Sequence, residues 1–271
     1  MIAVIKIFRR APLYIFLTIA SLLSVFPLFF MIVSATNTSA QVLGARLLPG
    51  TNLLNNLHVL MSQQDLLGAL YHSSLNAVLT TIGALIFCSI AGYGFEVFHS
   101  KGKDIVMNII LLAMMIPFAA TMIPLFRMFS QFGFPTTLSV VLPAIATPFL
   151  ILLFRQSARS FPHEMLEAAR VDGLSEVAIF LRIFIPTMRS TYAAAAVITF
   201  MAAWNNFLWP RVIIISNSQQ TMTMLVSNFR AGYVIDYGVL MLAVLIASLP
   251  TMIIFLVLQR SFANGIVGAV K

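Results

Sequence analysis

Long uncharged apolar runs are the feature that most constrains how this chain can fold. Six of them are predicted as membrane spans, at about residues 11–33, 71–95, 105–126, 137–154, 190–210 and 238–258. A bilayer core about 30 Å thick needs roughly 20 apolar residues of helix, and a single helix satisfies all of its backbone polar groups internally. The sequence therefore predicts an all-α integral membrane protein with six transmembrane helices.

The overall composition supports a membrane class. Hydrophobic residues make up 60% of the chain and charged residues 9%, whereas soluble domains carry about 25% charged residues. The net charge of +8 would, taken alone, suit a nucleic-acid binder. The positions of the basic residues point instead to membrane orientation, so we expect no nucleic-acid partner.

The first apolar run follows Lys6, Arg9 and Arg10 and precedes the small polar sequence SATNTSA, an arrangement that resembles a signal peptide. The apolar core of a signal peptide has about 7–15 residues, whereas this run extends to about Val33. It is predicted as an uncleaved first helix. Residues 36–70 are too polar and too broken to span, and we interpret them as an external loop with room for short helices.

Basic residues are distributed unequally between the two predicted sides. With a cytoplasmic N-terminus, twelve of the sixteen Lys and Arg residues fall on the cytoplasmic side. The four on the outer side are Arg46, Arg127, Arg211 and Arg230. Because cytoplasmic loops are enriched in Lys and Arg, both termini and a loop at residues 155–189 are predicted to be cytoplasmic.

Within this loop, the stretch from Ser160 to Pro186 is the one place where the chain becomes densely charged. Pro162 suits a first helical turn, and Glu164 follows it where the helix dipole favours negative charge. Gly173 is predicted to end this first short helix.

A second short helix is predicted after the glycine. Ser175 is a favourable N-cap residue and Pro186 is predicted to end the helix. The predicted apolar face comprises Val177, Phe180, Leu181 and Phe184. From these residues alone, the helix could lie on lipid headgroups, against the ends of the protein's own spans, or against a cytoplasmic partner.

Motifs of nucleotide, metal and hydrolytic chemistry are absent from the sequence. There is no P-loop, no HExxH, no GxSxG, and the single cysteine, Cys88, lies in an apolar run as a free thiol. We therefore expect that the chain is not an enzyme and binds no cofactor or metal. If ATP drives its activity, another chain must bind the ATP.

A spaced motif in the charged stretch resembles a known family. Glu167, Ala168 and Ala169, then Gly173, then Ile183 and Pro186 match the EAA-x3-G-x9-I-x-L-P signature of the membrane subunits of ATP-binding-cassette (ABC) importers, with Ile185 in place of Leu. The segment WNNFLWP at residues 204–210 is similar to WNDFLWP of carbohydrate-importer permeases, with Asn206 in place of Asp. The end of the chain, QRSFANGIVGAVK, is similar to their C-terminal tail. The likeness is to the shorter permease of maltose-type systems.

This resemblance implies a type I ABC importer permease fold with a cytoplasmic coupling helix, in a bacterial inner membrane. It also implies three partners: a homologous second permease, an ABC ATPase dimer that binds ATP and Mg²⁺, and an extracytoplasmic solute-binding protein. The residues that the resemblance assigns to ATPase coupling are Glu167, Ala168, Ala169, Asp172, Gly173, Ile183 and Pro186. The C-terminal tail is a further candidate for the ATPase interface.

A neutral, hydroxyl-rich solute suits the uncharged spans, because an ionisable residue at mid-membrane would signal an ion or proton path. The candidate substrate path comprises Asn76, Trp204, Asn205, Asn206 and Phe207. Amides donate and accept hydrogen bonds, and aromatic rings cover sugar faces. Each has an alternative role, since Trp204 and Trp209 suit interfacial anchors and the asparagines suit helix–helix bonds.

Two other classes of function compete with the importer. Six spans with proline kinks would also suit a self-sufficient channel or a secondary transporter for a neutral solute, although such proteins usually carry internal repeats or intramembrane charge. A membrane enzyme is disfavoured by the lack of a catalytic cluster. The importer hypothesis predicts a sugar as cargo, either a mono- or oligosaccharide or a derivative such as a phosphorylated polyol.

Overall fold

The computed structural model describes the backbone of residues 2–230 and 235–270 and the side chains of residues 12–230 and 235–259. Every regular element in these ranges is helical, which confirms the all-α prediction. The side chains of Lys6, Arg9 and Arg10, and those of the tail from residue 260 onwards, lie outside the described part.

The chain divides into two compact units, which are described separately. The first unit comprises Met1–Leu66 and Leu225–Leu249. It contains helices α1 (Ile2–Ala35), α2 (Ser39–Leu43) and α3 (Leu53–Gln63), most of α14 (Met222–Arg230), and the first part of α15 (Tyr237–Val270). The segment predicted as a polar external loop thus contains two short helices.

The second unit comprises Leu67–Met224 and Pro250–Lys271. Its helices are α4 (Leu66–Val97), α5 (Lys101–Ala113), α6 (Phe118–Gln131), α7 (Thr136–Val141), α8 (Pro148–Arg159), α9 (His163–Val171), α10 (Glu176–Ile179), α11 (Ile185–Thr187), α12 (Arg189–Trp204) and α13 (Leu208–Ile213). A 3₁₀ turn over Leu142–Ala144 continues α7.

Three helical stretches are long and apolar enough to cross a membrane: Pro12–Ala35, Leu66–Val97 and Tyr237–Gln259. Three further pairs pass the same test together but are bent, by 99° between α5 and α6, by 48° between α7 with its 3₁₀ turn and α8, and by 79° between Glu176–Thr187 and α12. The described residues thus offer three spans, or up to six if each bent pair crosses once. The exact span boundaries remain predictions.

In the first unit, buried asparagines connect the end of α1 to the start of α15. The Asn56 amide nitrogen donates to the carbonyl oxygens of Ala35 and Asn37 at 2.9 and 3.0 Å. A Cβ at Gly238 would collide with the same Asn37 carbonyl, so glycine permits this close approach. The segment after α1 is rich in polar residues because its side chains make hydrogen bonds to backbone groups at the helix end.

In the second unit, α4 packs directly against α8. A Cβ at Gly92 would lie 2.6 Å from Phe154 Cβ and 2.7 Å from the Arg155 backbone nitrogen, so the two helices meet there without an intervening side chain. Next to this contact, a buried cluster joins α4 and α8 to α5 and α12. Its members are Ala84, Cys88, Met107, Leu150, Ile151, Phe154 and Ala195. Small residues at such contacts are typical of membrane helices.

An ion-pair network stands at one end of the same helices. Arg155 at the end of α8 contacts Glu96 of α4 at 3.1 Å and Asp104 of α5 at 2.6 Å. His99 Nε2 lies 2.9 Å from the second oxygen of Asp104. Arg155 and Glu96 are largely buried, and their pairing offsets the free-energy cost of removing the two charges from water. The network joins three helix ends on the predicted cytoplasmic side.

Candidate functional site

The motif-bearing stretch forms two helical pieces at an angle, which we call the coupling segment (residues 163–187). The first piece, α9, begins at His163, and Pro162 is its N-cap residue, one position before the first helical turn in which the sequence places it. It ends in a Schellman motif, in which the Gly173 N–H donates to Arg170 and the Leu174 N–H donates to Ala169, both at 3.0 Å. Gly173 adopts φ +79°, which confirms that the glycine ends the helix.

The second piece starts where the sequence predicts and ends one residue after the predicted end. The Ser175 hydroxyl accepts a hydrogen bond from the Ala178 N–H at 3.3 Å, which confirms the N-cap. The helix then widens into a π turn over Phe180–Phe184 and continues through α11 to Thr187. The helix therefore ends one residue after Pro186, which agrees with the predicted end to within one residue. A wide turn before the proline relieves the clash between its ring and the preceding backbone, so the helix survives.

The predicted apolar face of this second piece is wrong in part. Ile179 and Phe184 are fully buried, whereas Val177 and Leu181 are 68% and 54% exposed. Residues 177–185 are apolar on nearly every side, so periodicity alone could not select the buried face. The π turn further rotates the later residues relative to a regular helix.

The residues of the EAA motif divide between a buried and an exposed side. Ala169 is buried in a cluster with Leu166, Ile179 and Phe184, and Ile183 packs against that cluster. The exposed motif residues are Glu167, Ala168, Asp172, Gly173 and Pro186. Four apolar side chains are also exposed here, and we call them the coupling surface: Met165, Val171, Val177 and Leu181. The buried side anchors the segment and leaves this surface free.

Tyr93 connects the coupling segment to helix α4. Its ring packs edge-on against Phe180 and Phe184, with centroids 5.2 and 4.9 Å away. Its hydroxyl donates to Glu176 at 3.4 Å, and Arg170 donates to the other oxygen of Glu176 at 2.7 Å. That bond raises the pKa of the Arg170 guanidinium, which therefore stays charged. A displacement of the coupling segment would thus act directly on α4.

A second feature of this unit is a cleft of about 280 Å³ with four polar residues, which we call the polar cleft: Thr80, Thr147, Thr199 and Asn206. Apolar residues including Phe149 and Leu150 complete its lining. Thr147 lies at the break before α8, where the chain is extended between two helical pieces. The cleft therefore lies beside an interrupted helix, a common position for solute sites in transporters.

The structure brings some of the predicted substrate-path residues to this cleft and places others elsewhere. Asn206 lines it, and Asn76 lies one helical turn before Thr80 on α4. Trp204 is buried and stacks on Phe200 at 5.9 Å, Asn205 donates to the Met201 carbonyl, and Phe207 is 37% exposed. None of these three lines the cleft.

Trp209 is a core residue rather than the interfacial anchor considered above. It is 1% exposed, and its indole nitrogen donates to the Ser139 carbonyl at 2.9 Å. It packs with Phe129 and Met224 in a buried cluster. A buried tryptophan whose N–H is satisfied stabilises this part of the unit.

The three threonines of the cleft were missed by sequence reasoning. One signal was available for Thr80: Ser73, Asn76 and Thr80 follow the i, i+3, i+7 spacing of one helix face and are all buried. Thr147 and Thr199 carry no such signal, because their meeting depends on how α8 and α12 pack.

Comparison with known proteins identifies the family. Residues 84–268 match the family described as binding-protein-dependent transport system inner membrane component. The chain belongs to this family. The permease is 43% identical to the lactose transport system permease protein of Rhizobium radiobacter, over 97% of this chain and 98% of that protein. This confirms the family predicted from the EAA motif.

Two further relatives also align over most of their length. The permease is 32% identical to the arabinooligosaccharides transport system permease protein of Bacillus subtilis strain 168, over 97% of this chain and 96% of the relative. It is 29% identical to the sn-glycerol-3-phosphate transport system permease protein of Escherichia coli K12, over 91% and 92%. All three relatives are transport permeases.

The fold of the permease matches a solved structure. That structure is the crystal structure of a bacterial ABC transporter involved in the import of the acidic polysaccharide alginate. The TM-score is 0.83 with 19% identity, over 95% of this chain and 97% of the other. The predicted ABC importer permease fold is confirmed.

Proposed function

We propose that this chain is the permease subunit of an ATP-driven importer for a sugar and forms half of its translocation pathway. The observation that carries the sugar is the 43% identity with a lactose permease along nearly the whole chain. The arabinooligosaccharide relative supports the same class of cargo. The uncharged spans agree with a neutral solute.

The proposal includes three partners. A homologous permease supplies the other half of the pathway, an ATPase dimer binds ATP and Mg²⁺, and an extracytoplasmic protein delivers the sugar. The family description supports the last of these, since it names binding-protein-dependent transport. The sequence has no P-loop, which supports a separate ATPase.

The proposed orientation places both termini and residues 155–189 in the cytoplasm. It is supported by the excess of Lys and Arg on that side, twelve of sixteen. The network of Arg155, Glu96 and Asp104 would then stand at the cytoplasmic ends of its helices.

The coupling surface is proposed to dock in a cleft of the ATPase. Val171 is 88% exposed and Val177 is 68% exposed, so this permease by itself leaves an apolar surface uncovered. Exposed Glu164 and Glu167 flank it. Exposed arginines also stand at this rim, so the patch carries both signs of charge and lacks the polybasic character that attracts anionic lipid headgroups; we therefore favour a protein partner.

A charge on this surface should block docking. We expect Val177→Glu and Leu181→Glu to leave membrane insertion intact and to lower ATPase co-purification and sugar transport at least tenfold, because a carboxylate would have to be desolvated in the interface. The matched control is Ile215→Glu, an exposed apolar residue after α13 on the predicted outer side, which should retain both. Normal docking of the two variants would contradict the assignment.

The function as a whole is tested by reconstitution. The permease, its partner permease and the ATPase dimer are placed in proteoliposomes with the binding protein, and uptake of lactose, arabinotriose and sn-glycerol 3-phosphate is measured. We expect sugar-dependent stimulation of ATP hydrolysis by the complex and no hydrolysis by the permease alone. ATP-independent uptake by the permease alone would instead show a channel or a secondary transporter.

A further inference from the structure

The polar cleft combines hydrogen-bonding groups with an apolar wall and contains no ionisable side chain among its lining residues. Its four polar residues come from three separate parts of the second unit: Thr80 from α4, Thr147 from the helix break, and Thr199 with Asn206 from α12 and the turn after it. The volume of about 280 Å³ is close to the lower end, about 300 Å³, of pockets that bind small organic molecules.

Two buried polar atoms in and beside the cleft lack hydrogen-bond partners within the described residues. The Thr199 hydroxyl is one, and the Asn76 carboxamide oxygen is the other; both residues are 6% exposed. A threonine in a membrane helix ordinarily donates back to a carbonyl one turn earlier, as Thr81 does to Ala77 at 2.7 Å. Thr199 makes no such bond, so its hydroxyl keeps its hydrogen-bonding capacity beside the cleft.

Thiol–carbonyl contacts and close helix packing hold the helix break beside the cleft. The carbonyls of Ile145 and Thr147 face the Cys88 thiol, with sulfur–oxygen distances of 3.4 and 3.8 Å. A Cβ at Gly83 would lie 2.8 Å from the Ile145 side chain, so the glycine lets α4 approach the break. Non-helical backbone at membrane depth is tolerated where it is buried in protein or lines a cavity.

We infer that the polar cleft is a subsite for one ring of a neutral saccharide in this permease. The inference rests on the proposed function and narrows it. Hydroxyls and amides both donate and accept, as sugar hydroxyls require, while the exposed Phe149 ring can cover the apolar face of the sugar. A phosphate group would need cationic or multiple N–H donors, and the lining residues offer no cation. The subsite therefore excludes phosphorylated polyols.

The first experiment removes hydrogen-bonding groups without changing shape. The probe is lactose, and uptake is measured in the reconstituted complex. Thr199→Val and Asn206→Leu should each raise the KM for lactose-loaded binding protein, or lower the uptake rate, by roughly three- to tenfold, because each variant loses one or two hydrogen bonds to the sugar. Uptake equal to the unmodified complex in both variants would overturn the subsite.

The second experiment tests occupancy independently of transport. Asn206→Cys, in a Cys88→Ser background, is labelled with a neutral maleimide in the complex with lactose at increasing concentration. We expect lactose to slow labelling at least threefold and sn-glycerol 3-phosphate to leave it unchanged. Leu208→Cys is the control, since Leu208 is 53% exposed and does not line the cleft. Absence of protection by lactose, or equal protection by sn-glycerol 3-phosphate, would overturn the inference.

The failure of this inference is distinguishable from failure of the proposed function. If the unmodified complex takes up no sugar and its ATPase does not respond to sugar-loaded binding protein, the proposed function is wrong. If the complex transports lactose but the cleft variants behave normally and lactose does not protect residue 206, the function stands and sugar recognition lies elsewhere.

Discussion

Gly92→Ala is expected to separate α4 from α8 and to destabilise the permease by about 3 kcal/mol. The added methyl would overlap backbone atoms of Phe154 and Arg155 as well as the Phe154 Cβ, and backbone cannot rotate away as a flexible side chain can. The buried cluster and the Arg155 ion pairs lie on either side of this contact, so both would be disturbed. The measurement is thermal unfolding of the detergent-solubilised protein.

The control for this variant stands two residues away on the same helix. A Cβ at Gly94 meets nothing within 4 Å, so Gly94→Ala should be neutral or stabilising by up to about 1 kcal/mol, because alanine favours helix. Equal unfolding temperatures for the two variants would show that α4 and α8 do not pack at Gly92 as described.

Gly173→Val is expected to abolish most transport while leaving the spans folded. A Cβ there would meet no atom within 4 Å, so the cost is in the backbone: φ +79° is unfavourable for L-residues by roughly 1–2 kcal/mol, and more for a β-branched one. The Schellman motif would rearrange and turn α10 away from its position relative to α9. We expect at least a tenfold loss of ATP-dependent lactose uptake, with normal amounts of protein in the membrane.

Asparagine at the same position separates conformation from size. Asn adopts left-handed backbone far more readily than Val, so Gly173→Asn should keep at least half of the uptake although it carries a similar bulk. Full uptake in Gly173→Val would mean that the angle between the two helical pieces does not matter for coupling. Equal loss in both variants would point to a steric role for the glycine instead.

Some local features of the coupling segment were predictable because they depend on short-range chemistry. Gly173 and Ser175 act through backbone conformation and a hydrogen bond to a residue three positions away, and both stand where the sequence predicts. The π turn within the second piece was not predictable in this way. Pro186 follows a π turn that accommodates its ring, and Phe184, the last residue of that turn, packs against Tyr93 of α4.

The choice of buried face shows the same limit. Where polar and apolar residues alternate clearly, periodicity shows which residues share a helix face, as it does for Ser73, Asn76 and Thr80. Between residues 177 and 185 nearly every side chain is apolar. Tertiary contacts with Leu166 and Ala169 then decided that Ile179 is buried and Val177 is exposed.

The sequence by itself determined the helical membrane class, the family and the motif-bearing segment. The length of an apolar run and the spacing of a motif depend only on the order of residues along the chain. The tertiary structure alone decided the coupling surface and the polar cleft. The coupling surface is what remains after one side of the segment packs against α4. The threonines of the cleft are far apart in sequence. They meet because Gly83 and Gly92 let α4 lie close to the helix break and to α8.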